Sequence, residues 1–464
     1  MSQQLTATNA TGNSGLQTAC RPIYVEYTHA GGSPVSAMIL AQVQVEIDGE
    51  FTDVGRPLVV TRNPNSTQAN PKYLFDIAPI LKAYIESGDY VDGVDSIFSA
   101  QSNDLLVLSP TTDTTEDYFY KNAIKYRVQA RAYYLDSNNN NFLTLNEDDD
   151  PITNPSAGTK FAVDMFIKDE FLSESKYYNL PAQGTLPQTN LTSGSNLSSS
   201  KFLTNCPTFL KRKIELGSPL TLAALAYEYS GAVSDLVCSY TDNSSTSVSD
   251  QVIISQFISN STDGGNPSKK VLAANLTPED GTNGLFAVIS ATEAAIGGKN
   301  ISFRIKQGGN VTPSMLFELY DKPSGSNSNL SKLNPDFCSI YFINDFNVLD
   351  YYLFDSFLEI SHSHSKSLFK TGFKDYTSST SSKRGVSAAS TEEVYTCSSL
   401  VNRETSDWLS EIYRSKKVYL YDRLNSKFIP VIIIDGDVTI SYANSRELKP
   451  FTISFIKDVH SIKY

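Results

Sequence analysis

The chain has 464 residues, with 38 Lys and Arg against 50 Asp and Glu and a formal net charge of −12, a balance that opposes tight binding to nucleic-acid phosphate. It is too long for one ordinary core, so roughly two to four domains are expected. Hydrophobic residues make up 40% and aromatics 11%, yet charged residues only 19%; Ser, Thr and Asn carry most of the polarity, which suits strand faces and turns and argues against an all-helical protein.

Residues 1–19 are polar and read as a flexible N-terminal arm. They lack the charged-then-apolar order of a secretory signal, and no apolar run reaches membrane-spanning length, so synthesis in a cytosol and no membrane partner are expected. Residues 20–175 read as a β-sandwich-like domain. PIYVEYT, AMILAQVQVEID and PLVVT are strands, Val43, Val45 and Ile47 lying on one face and Gln42, Gln44 and Glu46 on the other. In YLFDIAPILKAYI the spacing turns helical, with Ile77, Ile80, Leu81 and Tyr84 as the apolar stripe, Asp76 placed to cap and Pro79 in the first turn. DLLVLS, AIKYRVQARAYYL and KFAVDMFI resume the strands.

Residues 176–219, rich in Ser, Asn, Gly and Pro and carrying the basic cluster Lys211-Arg212-Lys213, read as a connector. A central β-sandwich over 220–376 follows, from LTLAALAYEY, LVCSY, QVIISQFI, LFAVISA, ISFRIK, MLFELYD and FCSIYFI. Long polar loops around 242–250, 260–270 and 322–332 read as surface insertions. Residues 377–401 read as a low-complexity linker into a C-terminal helix plus β-sheet unit, 402–464. There Asn402 is placed to cap a helix with Trp408, Leu409, Ile412 and Tyr413 on one side. Strands at VYLYD, FIPVIII, VTISY and FTISF follow, with Asp435-Gly436 suited to a two-residue hairpin turn. The expected fold class is mainly β: tandem β-sandwich domains with a few short helices and long polar loops.

Chemistry-bearing motifs are sparse. Asp136, Asn138, Asn140, Asn141 and Glu147 match the spacing of a calcium loop, but a strand precedes the loop where a helix is needed, and an Asn-rich hairpin making Asx turns is the preferred reading. Glu147 to Asp150 read as a solvated acidic face. His362 and His364, two apart on a strand, lack a third ligand for a metal. Ser363 and Lys366 match a nucleophile motif that arises freely in a Ser-rich chain. Cys20, Cys206, Cys238, Cys338 and Cys397 show no CxxC spacing, so reduced thiols are expected. No nucleophile elbow, phosphate-binding loop, dinucleotide fingerprint or HExxH occurs. No catalytic, cofactor-binding or metal residue is therefore assigned, and no cofactor is expected.

Several segments together resemble neck, ring and tail-assembly proteins of tailed bacteriophages of Bacteroidetes, the crAss-like phages among them. They are PIYVEYT, AQVQVEIDG and LFDIAPILKAYI, then KFLTNCP at Lys201 to Pro207, FCSIYFINDFNVLDYYLFDSF with Lys366 to Phe373, and lastly WLSEIYRSKKVYLYD with FIPVIIIDGDVTISY. They fall in family order along nearly the whole chain. Where the family places paired glycines before the Asp of the FCSIYFINDF motif, this chain has Asn347-Val348 ahead of Leu349 and Asp350. The resemblance implies a non-enzymatic virion structural protein in the neck or tail, a ring, adaptor or hub component forming a symmetric oligomer. Its partners would be copies of itself and portal, neck or tail proteins. It would be made in the bacterial host cytoplasm and located in the virion, with passive DNA passage but no sequence-specific DNA binding. The contact elements expected are the arm, the connector (172–219) and the 377–390 stretch. The alternative is a host-attachment tail protein whose loops bind a receptor or glycan.

Overall fold

In the computed structural model, alternating apolar residues have become strands nearly everywhere, and the fold is mainly β. The structure describes residues 5–8, 16–19, 23–29, 36–47, 50–61, 72–87, 107–108, 123–135, 142–144, 160–163, 202–215, 217–226, 234–241, 247–258, 262–263, 266–267, 270–276, 285, 300–320, 338–346, 348–370, 384–422, 427–434 and 448–458.

The N-terminal region holds β1 (Leu5–Thr8), β2 (Leu16–Thr18), β3 (Tyr24–His29), β4 (Ser36–Ile47), β5 (Glu50–Thr61), β6 (Lys72–Asp76), α1 (Ala78–Ser87), β7 (Val107–Leu108), β8 (Ala123–Leu135), β9 (Phe142–Thr144) and β10 (Lys160–Val163). One sheet runs β1-β3-β6, and a larger one runs β2-β10-β8-β4-β5 with β9 added to β8. Ile39, Ala41, Val43 and Val45 point from β4 into a core shared with Tyr73 and Phe75 of β6 and with Ile77 and Leu81 at the helix. YLFD is a strand and the helix begins just after Asp76, where the apolar stripe starts. Asp76 still caps: its Oδ1 accepts from Ala78 N at 3.0 Å and from Ile23 N at 2.8 Å, tying the helix start to β3.

The expected flexible arm is corrected in part. β1 pairs antiparallel with β3 and β2 pairs parallel with β10, so each short run is tied along one side to the folded sheets.

The central region contains β11 (Lys211–Glu215), β12 (Leu220–Ala226), β13 (Ser234–Thr241), β14 (Ser247–Ile258), β15 (Thr262–Asp263), β16 (Asn266–Pro267), β17 (Lys270–Leu276), β18 (Asn300–Gln307), β19 (Asn310–Val311) and β20 (Met315–Tyr320). A sheet in the order β11-β20-β18-β13-β14, with β19 on β18, lies beside a smaller one, β12-β17-β7. The strand β7, from the DLLVLS segment expected in the N-terminal domain, is thus an edge of the central region. Of LFAVISA only Leu285 is described, whereas VLAANL, read as part of no strand, forms β17.

The C-terminal region has β21 (Cys338–Ile343), β22 (Leu349–Phe354), β23 (Phe357–Lys370), β24 (Arg384–Val401), α2 (Arg403–Leu409), α3 (Glu411–Arg414), β25 (Val418–Asp422), β26 (Lys427–Ile433) and β27 (Lys449–Lys457). One seven-stranded sheet runs β22-β21-β25-β26-β27-β24-β23. It curls around the two short helices. Trp408, Leu409 and Ile412 fill the concave side against Ile340, Phe342, Phe354, Ile453 and Phe455, and Ser356 N donates to Ser398 O at 3.1 Å, drawing the end of β22 toward β24.

This sheet overturns three expected boundaries. The proposed linker 377–401 is a strand from Arg384 onward, the divisions at 376/377 and 401/402 cut one continuous sheet, and FCSIYFI belongs to it rather than to a central sandwich. The connector is also corrected. From Phe202 it is packed, with Phe202 and Leu203 buried and Lys211–Glu215 forming β11. The reasons differ: the Ser- and Ala-rich 384–401 stretch pairs because neighbouring strands supply its register, whereas Phe202, Leu203 and Ile214 draw the end of the connector into the interior. Asn402 caps as expected, accepting from Thr405 N at 2.9 Å. The helix is split at Ser410, whose Oγ donates to Asp407 O at 2.6 Å. The Asp435-Gly436 turn and VTISY lie outside the described residues.

Candidate functional site

Charged side chains placed within apolar runs should be exposed or tightly partnered. Two such residues, Asp350 in NVLDYYLF and Glu411 in WLSEIY, meet the connector at one junction. Arg212 on β11 and Asp350 on β22 form an ion pair at 2.5 Å, 3% and 5% exposed. The guanidinium carbon of Arg212 lies 4.9 Å from the Phe317 ring centre and 5.4 Å from that of Trp408, so the cation is held between aromatic faces.

Asp350 is saturated as an acceptor. Oδ1 accepts from Arg212 Nη1 at 2.5 Å and Tyr351 N at 2.9 Å, and Oδ2 from Thr204 Oγ1 at 2.5 Å and Asn344 Nδ2 at 3.3 Å. A carboxylate offers about four acceptor sites, so none remains for a reacting proton. Asn344 is used fully as well. Its Nδ2 also donates to Leu203 O at 2.8 Å, and its Oδ1 accepts from Phe346 N at 3.0 Å and Val348 N at 3.2 Å. This side chain closes the turn ahead of Asp350, together with Asn344 N donating to Val348 O at 2.9 Å. An Asx turn thus shapes the backbone ahead of Asp350.

The second half of the junction centres on Glu411, 1% exposed at the start of α3. Its Oε1 accepts from Asn205 Nδ2 at 2.7 Å and its Oε2 from Asp345 N at 3.1 Å. Burial first, and then the charge of Asp345, push its carboxyl up to about 8. Asp345 itself pairs with Arg414 at 2.9 Å. Cys206, between the two halves, is pushed up to about 12 chiefly by burial, with Arg212 pulling the other way. It remains a thiol near neutral pH, unsuited to nucleophilic attack. A shallow pocket beside it is lined by Phe202, Cys206, Leu210, Pro313 and Met315.

These groups satisfy one another, and their arrangement does structural work: it pins the connector to the curled sheet. The sequence names Arg212, Cys206 and Asp350 without joining them, and it gives no role to Asn344 or Glu411. The available signals were the acids embedded in apolar runs and the KFLTNCP segment itself.

The residues weighed on sequence grounds are not brought together. His362 is exposed on β23 opposite Glu393 in the strand register, and His364 stands opposite Thr391. Ser363 and Lys366 occupy the same strand. Residues 136–141 and 145–150 lie outside the described residues, but β8 and β9 pair through Leu135 and Phe142, so strands flank the Asn-rich loop. Among the described residues no group of three His, Cys, Asp or Glu could hold a metal ion, and no helix is long and apolar enough to cross a membrane. Cys206, Cys238, Cys338 and Cys397 are free thiols. Comparisons with protein-family models and with curated proteins found no match.

Proposed function

We propose that this chain is a non-enzymatic virion structural protein of a tailed bacteriophage, a neck or tail component of the ring, adaptor or hub kind that assembles as a symmetric oligomer. The segments that carry the resemblance support this reading, because Phe202 to Pro207, Cys338 to Phe346 and WLSEIY supply framework contacts rather than reactive groups.

The observation that carries the proposal is the β23–β24 ribbon. β24 is 18 residues long, yet only Val394–Val401 pair with β27. Among the described residues, Arg384–Glu393 pair with β23 alone. Ten residues of strand reach about 33 Å, and a two-stranded ribbon is marginal in water unless something packs on it. Among the described residues β23 is also the edge of the sheet, and open backbone groups at an edge invite another chain. Lys370 and Arg384 are register partners at the ribbon's end, two basic positions in a chain whose net charge is −12. The net negative charge of a neighbouring copy complements these two positions, and a head-to-tail contact gives a ring where its rotation closes and a filament where it does not. The expected partners are other copies and adjoining portal, neck or tail proteins, and the location is the virion, after synthesis in the host cytoplasm. Any DNA would pass the acidic protein without sequence-specific contact.

Sedimentation of the purified protein against concentration and salt, with class averages of particles, tests this. A closed ring weakened by high salt and by K370E/R384E supports it. A strict monomer that also fails to assemble on virion partners opposes it, and a position at a distal fibre tip would favour host attachment.

A further inference from the structure

Glu411 has no cation within ion-pair distance among the described residues, although it is almost wholly enclosed. Its two acceptor contacts come from different parts of the chain: Asn205 in the connector and the backbone N–H of Asp345 in the β21–β22 turn. The charged and titratable groups around it are accounted for. Asp345 faces it from that turn and is paired with Arg414, which extends from the glutamate's own helix to reach Asp345 and Ser410. Asp350, on β22, is neutralised by Arg212 of β11, and Cys206 of the connector is a thiol. An ionised Glu411 would thus be a buried charge beside two other carboxylates, with both local arginines already engaged. A protonated one avoids that penalty: the two donated contacts pull toward the ionised form but are outweighed by burial, and the new O–H donates to Asn205 Oδ1 once that amide turns over.

We propose that Glu411 is a proton-operated latch: with its proton on, it holds the Phe202–Leu210 segment and the β21–β22 turn against helix α3, and with its proton off it loosens both. The sign follows from linkage. An open junction exposes the carboxyl, whose ordinary value is about 4.3, whereas the closed one holds it at about 8. The closed state binds the extra proton between those limits. Closure is therefore fully favoured below about pH 4.3, and the opening constant rises about tenfold per pH unit up to about pH 8, then levels off.

The readout is hydrogen-exchange protection, corrected for intrinsic exchange, at two amides of the segment. Leu203 N donates to Ala223 O at 2.8 Å and Cys206 N to Thr204 Oγ1 at 3.0 Å. Exchange is measured on the full chain from pH 5.5 to 9, with amides of β13 and β18 as the reference for intact fold. In the unaltered protein, segment protection should drop by about tenfold per unit up to about pH 8 while the reference amides hold steady. Glu411→Gln should flatten the profile, since an amide of the same shape keeps both contacts once Asn205 turns over. If that variant does not fold, Asp345→Asn serves instead, and removing the neighbouring charge should move the break to lower pH. A flat profile in the unaltered protein, a Glu411→Gln profile as steep as its parent's, or an unmoved break in Asp345→Asn each overturns the latch.

Discussion

Arg212 and Asp350, 138 residues apart in sequence, form the buried ion pair that fastens the connector to the edge strand of the curled sheet. Taking two charges out of water is costly, and the pair is tolerated because Thr204, Asn344 and the Tyr351 amide complete the carboxylate's shell. Removing one partner strands the other. Asp350→Leu or Arg212→Met alone should cost about 3–5 kcal/mol in urea unfolding, whereas the double replacement should cost clearly less than the sum. Strict additivity would show that the two charges are not coupled.

Trp408 is the only tryptophan in the chain and is 1% exposed, enclosed by the sheet and by Arg212. Its emission should be blue-shifted in the native protein and move to the red in a single cooperative step, making it a direct reporter of the C-terminal core. Trp408→Ala opens a large cavity and should destabilise by about 3–5 kcal/mol. Trp408→Phe, which keeps an aromatic face, should cost less.

Much of this core was legible. Trp408, Leu409 and Ile412 at helical spacing, the Asn402 cap and the alternation of Phe451, Ile453 and Phe455 are local patterns, and the structure buries those residues as the patterns require. The junction was not legible, because a charge in an apolar run has no local signature of its partner. Lys211-Arg212-Lys213 reads in the sequence only as a basic cluster within a connector, whereas β11 alternation turns Arg212 inward, beside an aspartate far along the chain. The 384–401 strand was hidden for a related reason. Its small hydroxylated residues carry little apolar signal, and its register comes from β23 and β27 rather than from itself.

Asp250 combines an uncommon backbone with a dense charge contact. Its φ is +54° at an irregularity in the β13–β14 ladder, and its carboxylate takes Lys306 Nζ at 2.8 Å and Arg304 Nε at 2.9 Å. The hydrogen bond from Lys306, with Arg304, holds it below the usual carboxylate value. A depressed carboxyl stabilises above its unfolded value and loses that stabilisation as pH falls through the folded one. Asp250→Asn keeps a residue that tolerates positive φ but removes the charge. Melting temperatures of variant and parent should therefore differ modestly at pH 7, the site being solvent-screened, and converge as the pH falls through the depressed folded value. A gap that persists in acid would assign the effect to shape instead of charge.

Gly55 offers a cleaner separation of backbone from packing. It has φ +70° where the β4–β5 register shifts between Ala41 and Val43, and a Cβ there would lie 3.1 Å from Ile80 Cγ2. Gly55→Ala forces an L-residue into left-handed backbone, costing about 1–2 kcal/mol, and presses on Ile80. Gly55→Asn adds the same Cβ and the same pressure, but asparagine tolerates positive φ, and the position is exposed enough to take the amide. Backbone strain predicts that the asparagine variant melts above the alanine variant. If the two melt together, contact with the helix side chain, and not the dihedral angle, is what requires glycine at this turn of the strand.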